Sequence, residues 1–201
     1  MKKVIFILIL TQLLFVYSAK SQLSLRLGGN YATIFNQDRI PNQRAIATST
    51  FGMLMKFPVK DSSRHHIKIG LLKVTSGYKQ FFEEETYEQR FHYAALPVYY
   101  NLQLYPNFSL DFGVQLRIMT RPLFKRDNNI DNYRKADLAT VFGLNFLDEK
   151  RLSIYVNASY GLIPMLRYEE IDAVGNFGDT FNDLHAFLIS AGLNFRLSKY
   201  D

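Results

Sequence analysis

The side chains of this 201-residue chain with the types to do chemistry are four histidines, many serines and two clusters of acids. A histidine within hydrogen-bond reach of a serine activates a nucleophile. Histidines and carboxylates that converge hold a metal. The spacings favour neither arrangement. His65 and His66 are adjacent, so on a strand their side chains leave opposite faces. His92 is followed by Tyr93 and Ala94, and His185 by Ala186 and Phe187, so neither has a serine two residues on. Glu83, Glu84 and Glu85, or Asp172, Asp179 and Asp183, offer oxygen ligands to calcium, but without the spacing of an EF-hand loop. They read as solvated loops. The chain has no cysteine, which excludes a disulfide framework and a thiolate zinc site. No catalytic, metal-binding or cofactor-binding residue is therefore assigned, and no cofactor is expected.

The first 21 residues read as an export signal. Lys2 and Lys3 precede an apolar run over 4–17, broken only by Thr11 and Gln12, and Ala19 and Ser21 supply the small residues of a cleavage site. Residues 1–21 are thus a signal peptide and 22–201 one domain. The formal charge of +6 includes Lys2, Lys3 and Lys20, so the remainder carries +3. That excess gives no nucleic-acid footprint, and an exported protein is not expected to meet one.

Beyond residue 21 the pattern has period two, the mark of strands. Over 108–120, Phe108, Leu110, Phe112, Val114, Leu116 and Ile118 share one face, against Ser109, Asp111, Gly113, Gln115 and Arg117. The segments 23–35, 152–162 and 185–197 alternate as clearly, and 45–57, 66–74, 91–104 and 135–146 less so. Pro97 falls inside one of them and predicts a bulge or local irregularity. The connections alternate: short ones over 58–65, 105–107 and 147–151, long ones over 36–44, 75–90, 121–134 and 163–181. Eight strands joined in this way predict an all-β, up-and-down antiparallel transmembrane β-barrel, with short periplasmic turns and long external loops.

Alternation alone does not say which face meets lipid, since a soluble barrel is apolar inside and a membrane barrel apolar outside. The glycines decide. Gly28, Gly52, Gly70, Gly113, Gly143, Gly161 and Gly192 all lie on the polar face, one to each of seven strands. Only a crowded interior gives reason for that. The polar face is then the lumen, with Arg26, Lys56, Lys68, Arg117, Lys135 and Arg196 facing Asp111 and Asp137. An ion network that fills the lumen is expected. The excess of cations keeps a small anion-preferring porin as an alternative. Ser190, Gly192, Phe195 and Leu197 on the last strand match the terminal pattern that outer-membrane barrels present to their assembly machinery.

These features resemble the PorT-like family of small outer-membrane β-barrels, eight-stranded like the OmpX and OmpA barrels. Gly70-Leu71-Leu72-Lys73-Val74 with Gly77 is similar to its third-strand motif, and Tyr93 to Val98 to its Tyr-x-x-Ile-Pro-Leu strand, with Ala95 in place of an acid. Asp137 with Gly143, Tyr160-Gly161-Leu162 and Gly192 to Phe195 extend the likeness. The resemblance implies a barrel in the outer membrane of a Gram-negative bacterium, in contact with outer-membrane lipid and lipopolysaccharide, and no shared catalytic residues. A structural or interaction role is expected, with the loops over 121–134 and 163–181 binding an envelope partner protein or lipopolysaccharide phosphates, between which no motif chooses. The alternative of another class is a lipid A-modifying enzyme. For that, His92 and His185 stand near the external ends, but parity turns both outward.

Overall fold

The computed structural model describes residues 21–35, 42–59, 64–82, 85–123, 134–165, 168–171, 177–181 and 184–197. The expected signal peptide lies outside them, apart from residue 21. So do Glu83, Glu84, Asp172, Asp183 and most of the 121–134 loop.

Eight strands form the wall: β1 (Gln22–Phe35), β3 (Ile46–Pro58), β4 (His65–Phe82), β5 (Glu85–Tyr105), β6 (Phe108–Leu123), β7 (Ala136–Phe146), β8 (Leu152–Gly161) and β11 (His185–Arg196). Each is antiparallel to its neighbours, and β4 pairs with β5 while β11 pairs with β1, so the sheet closes into a ring. The two-residue β2 (Gln43–Arg44) adds to the far end of β4, and β9 (Tyr168–Ile171) with β10 (Phe177–Phe181) makes a separate hairpin.

Registered partners fix the stagger of the ring. From Thr33 the partners run through Phe187, Tyr160, Thr140, Val114, Val98, Ile69 and Met55, and return to β1 at Leu23, ten residues from the start. A stagger of that size tilts the strands and leaves an eight-stranded barrel only wide enough for side chains.

The structure departs from the sequence reading in three places. The expected 75–90 loop is a paired ladder, from Thr75 opposite His92 to Phe82 opposite Glu85. Charge hid it, yet the charges are cross-strand partners: Lys79 Nζ lies 3.2 Å from Glu88 on the facing strand. The 163–181 loop contains β9 and β10. At Pro97 the expected irregularity is a gap rather than a bulge: the pairing of β5 with β4 lapses between Ile69–Val98 and Leu72–Ala95 and resumes in the same register, which absorbs the missing N–H. The register shifts of β5 fall near the ends of its ladder with β6, at His92/Tyr93 and Gln103/Tyr105.

The third departure concerns the lumen, which is not polar throughout. Towards the rim of long connections, Ala32, Ile34, Ile46, Val74, Phe91, Leu184, Ala186 and Leu188 turn inward with Met165 and form a buried apolar core. The polar lumen occupies the other half.

Candidate functional site

The lumen is the candidate site, and its floor is made by glycine. Gly28, Gly192 and Tyr155 stand side by side on β1, β11 and β8. The Tyr155 side chain lies along the wall above the glycines, fully buried. A Cβ on Gly28 would fall 2.0 Å from its hydroxyl oxygen. The Arg26 guanidinium stacks on the Tyr155 ring, 4.0 Å from its centroid. Elsewhere Gly52 is registered with Leu72, Gly70 with Leu54 and Gly113 with Tyr99, so a large inward side chain meets a bare backbone.

The charges sit in tiers. At the short-turn rim, Lys56 Nζ lies 2.7 Å from Asp148, and Lys68 Nζ lies 3.0 Å from Asp111 and 3.7 Å from Asp148. Asn101 Nδ2 donates to Asp111 at 2.6 Å, and Ser109 Oγ to Asp148 at 2.9 Å. In the middle, Arg117 donates from Nη2 to Ser159 at 2.6 Å, from Nε to Gln115 at 3.0 Å and from Nη1 to Asp137 at 3.4 Å. Arg26 donates from Nε to Asn194 at 2.8 Å. Above these tiers lies the apolar core. A buried charge is tolerable when it is paired and its remaining donors and acceptors are met, and these tiers largely meet that demand.

Of the residues expected in the lumen, Arg26, Lys56, Lys68, Asp111, Arg117 and Asp137 are buried there. Lys135 is not. It occupies an exposed bend before β7, because the strand begins one residue later. Arg196 is half-buried at the short-turn rim, where its guanidinium donates to the carbonyls of Asp148 (2.6 Å) and Glu149 (3.0 Å) and ties down that turn. Asp148 is the residue the sequence reading missed. It follows β7 in a turn, and Leu147 at φ 59° swings the chain so that Asp148 folds back under the barrel. Charge balance was the available signal. Six cations against two acids require further carboxylate near the rim, and the short turn 147–151 holds two. Burial alone would raise the Asp148 carboxyl, but Lys68 and Lys56 hold it well below the usual range.

The remaining candidates do not assemble. His185 Nδ1 donates to the Gly161 carbonyl at 2.8 Å, and its ring stacks on Tyr160. His92 Nδ1 shares a hydrogen bond of 3.0 Å with Thr75, a threonine rather than a serine. His65 turns outward to Tyr100, while His66 is buried in the lumen. Among the described residues no three histidine or carboxylate side chains converge as metal ligands would. The described lumen retains cavities of about 30 Å³ at the short-turn mouth and about 20 Å³ in the middle tier. Each holds a water or two, not a conducting path.

Outside, the wall inverts the order of a soluble barrel. Leu27 and Tyr31 are 63% and 61% exposed, whereas Arg26 and Arg117 are each 1% exposed. Rings gather at both ends of this apolar band: Tyr100 with Phe112 and Phe108 with Phe146 near the short turns, Phe35 with Tyr160 near the long connections. A band with aromatic girdles around a closed ring is the design of a membrane-spanning barrel. Val114 stands in the band, 41% exposed. Val114→Arg is expected to destabilise the lipid-embedded barrel by about 2–4 kcal/mol. Urea unfolding from vesicles measures this. A loss under about 0.5 kcal/mol, the usual size of a change on a watery surface, would mean that this face does not meet lipid.

The closed ring and its apolar outer band therefore define a membrane-spanning β-barrel protein. No family model matches the chain, and no curated protein matches its sequence. Its structure is similar to several solved ones at low sequence identity. The outer membrane protein OprG of Pseudomonas aeruginosa is 8% identical over 89% of this chain and 97% of its own, with a TM-score of 0.48. Neisserial surface protein A is 8% identical over 88% and 97%, at 0.46. Ail, the attachment invasion locus protein of Yersinia pestis, is 12% identical over 88% and 97%, at 0.41.

Proposed function

We propose that this protein, exported and freed of residues 1–21, is a plugged barrel with a structural or interaction role at the bacterial surface, related to the PorT-like barrels. The filling of the lumen carries this reading. Lys56, Lys68 and Arg117 are bound to carboxylates, and the apolar core blocks the way above them. Three of the cations that suggested an anion-preferring pore are thus held in fixed pairs. β4 and β5, at 18 and 21 residues, are about twice the length needed to cross a membrane. Their hairpin rises past the apolar band and offers a rigid surface to an envelope partner. By the rule of long external connections, that surface faces outward. The wall itself contacts outer-membrane lipid and lipopolysaccharide.

β11 supports the assembly role of the terminal pattern. Phe195 is exposed on the outer wall and Leu197 follows it there, while Ser190 and Gly192 face the lumen, on the strand that closes the ring against β1. In planar bilayers the purified protein is expected to give no stable single-channel steps. Reproducible unitary currents would overturn the plug. Extraction in mild detergent is expected to bring down a stoichiometric partner that is lost when the tip of the β4–β5 hairpin is shortened. Recovery of the protein alone in both cases would overturn the interaction role.

A further inference from the structure

The buried charges of the described lumen pair off with one left over. Lys56 and Lys68 are matched by Asp148 and Asp111, and Arg117 by Asp137. Arg26 is 1% exposed and has no carboxylate among its partners. Its Nε donates to the Asn194 amide oxygen at 2.8 Å, its Nη1 to the Asn157 amide oxygen at 2.9 Å once that amide is turned to satisfy both its ends, and its face lies on the Tyr155 ring. All are neutral. Its Nη2 has no partner among the described residues, and neither has the hydroxyl of the buried Tyr155. Both residues line the middle cavity of about 20 Å³, together with Arg117, Tyr99 and Gln115. A guanidinium deprived of water and of a counter-charge is costly.

We propose that this cavity binds a single halide-sized anion, such as chloride, through Arg26 Nη2 and the Tyr155 hydroxyl. The unmatched charge selects an anion over water, since water neutralises nothing. The volume selects a monatomic ion over phosphate or a carboxylate. Arg26 also lines the cavity of about 30 Å³ at the short-turn mouth, beside Lys56, Lys68, Lys150, Arg196 and the one carboxylate of Asp148. That net positive mouth draws an anion in from the periplasmic side.

The test uses the folded full-length barrel in detergent. Its unfolding midpoint is measured in sodium chloride, bromide and gluconate at equal ionic strength. The midpoint is expected to rise and saturate with either halide and to stay level in gluconate, which is too large to enter. R26M is expected to lose the halide dependence, and Y155F to need a higher halide concentration for the same rise. Bromide-soaked crystals of the unaltered protein supply a readout that does not depend on a variant folding. An anomalous peak within hydrogen-bond reach of Arg26 Nη2 is expected. Absence of that peak, or peaks at surface lysines alone, overturns the proposal whatever the midpoints do. So does a halide dependence that R26M retains.

Discussion

Asp148→Asn is expected to cost about 3–5 kcal/mol, because it leaves two buried lysines facing the single carboxylate of Asp111. Lys56 loses its ion pair of 2.7 Å and Lys68 the longer of its two. Breaking one partner of a buried pair is worse than removing both, because the surviving charge stays desolvated. Lys56→Met placed on Asp148→Asn should therefore recover part of the loss, which a double-mutant cycle reads directly. The chain has no tryptophan, so the fraction folded is best followed by the separate gel mobilities of the folded and boiled forms across urea. Glu149→Gln is the control. Its carboxylate accepts from Gln103 Nε2 at 2.6 Å in the same turn, and a neutral amide oxygen replaces it at little cost. If both variants lose the same small amount, Asp148 is not the keystone of this rim.

The pH dependence follows from the same pair. The Asp148 carboxyl is held below its usual range by Lys68 and Lys56 despite its burial. A depressed folded value stabilises the protein above the unfolded value of about 3.9 and is lost as pH falls through the folded one. The Asp148 contribution is thus level from neutral pH down to about 5 and disappears only in stronger acid. The difference between the unaltered protein and Asp148→Asn should shrink below about pH 4 and stay constant above it.

The wall was legible in the sequence because lipid outside and packing inside impose strict alternation. Phe108 to Ile118 on β6 shows it without a break. The glycines were legible as a face, but not as sockets, since which side chain lies in each depends on register. Gly28 meets Tyr155 across two strand boundaries and 127 residues of chain. Alternation fades where both faces are apolar. Ala186-Phe187-Leu188-Ile189 carries no polar residue at either parity, because Ala186 and Leu188 enter the inner core while Ile189 meets lipid. That is why the apolar half of the lumen went unforeseen. The rising hairpin was hidden for the opposite reason. Above the membrane neither face needs to be apolar, so Lys79, Glu88 and Arg90 look like a loop while pairing across a ladder. Asp148 was invisible because a turn residue has no parity to read.

Gly192→Ala tests whether the barrel can close at all. The first and last strands meet at Gly28 and Gly192, which are direct partners. A Cβ on Gly192 would lie 2.1 Å from the Leu27 carbonyl oxygen and 2.5 Å from the Gly28 Cα, all backbone. Backbone at the seam can yield only if the two strands part. The expected loss is about 3 kcal/mol or more, seen as failure of most molecules to reach the folded gel mobility. Gly28→Ala meets a different obstacle. Its new carbon would lie 2.0 Å from the Tyr155 hydroxyl oxygen and 2.7 Å from the Ala191 carbonyl oxygen. The first of these is the tip of a side chain and can be removed. Tyr155→Ala should therefore restore part of the folding lost in Gly28→Ala and none of that lost in Gly192→Ala. Equal rescue of both would mean that the ring alone crowds the seam, and that the two strands have room the register does not show. No rescue of either would place the whole constraint in the backbone and leave Tyr155 as filling rather than as the reason for glycine at position 28.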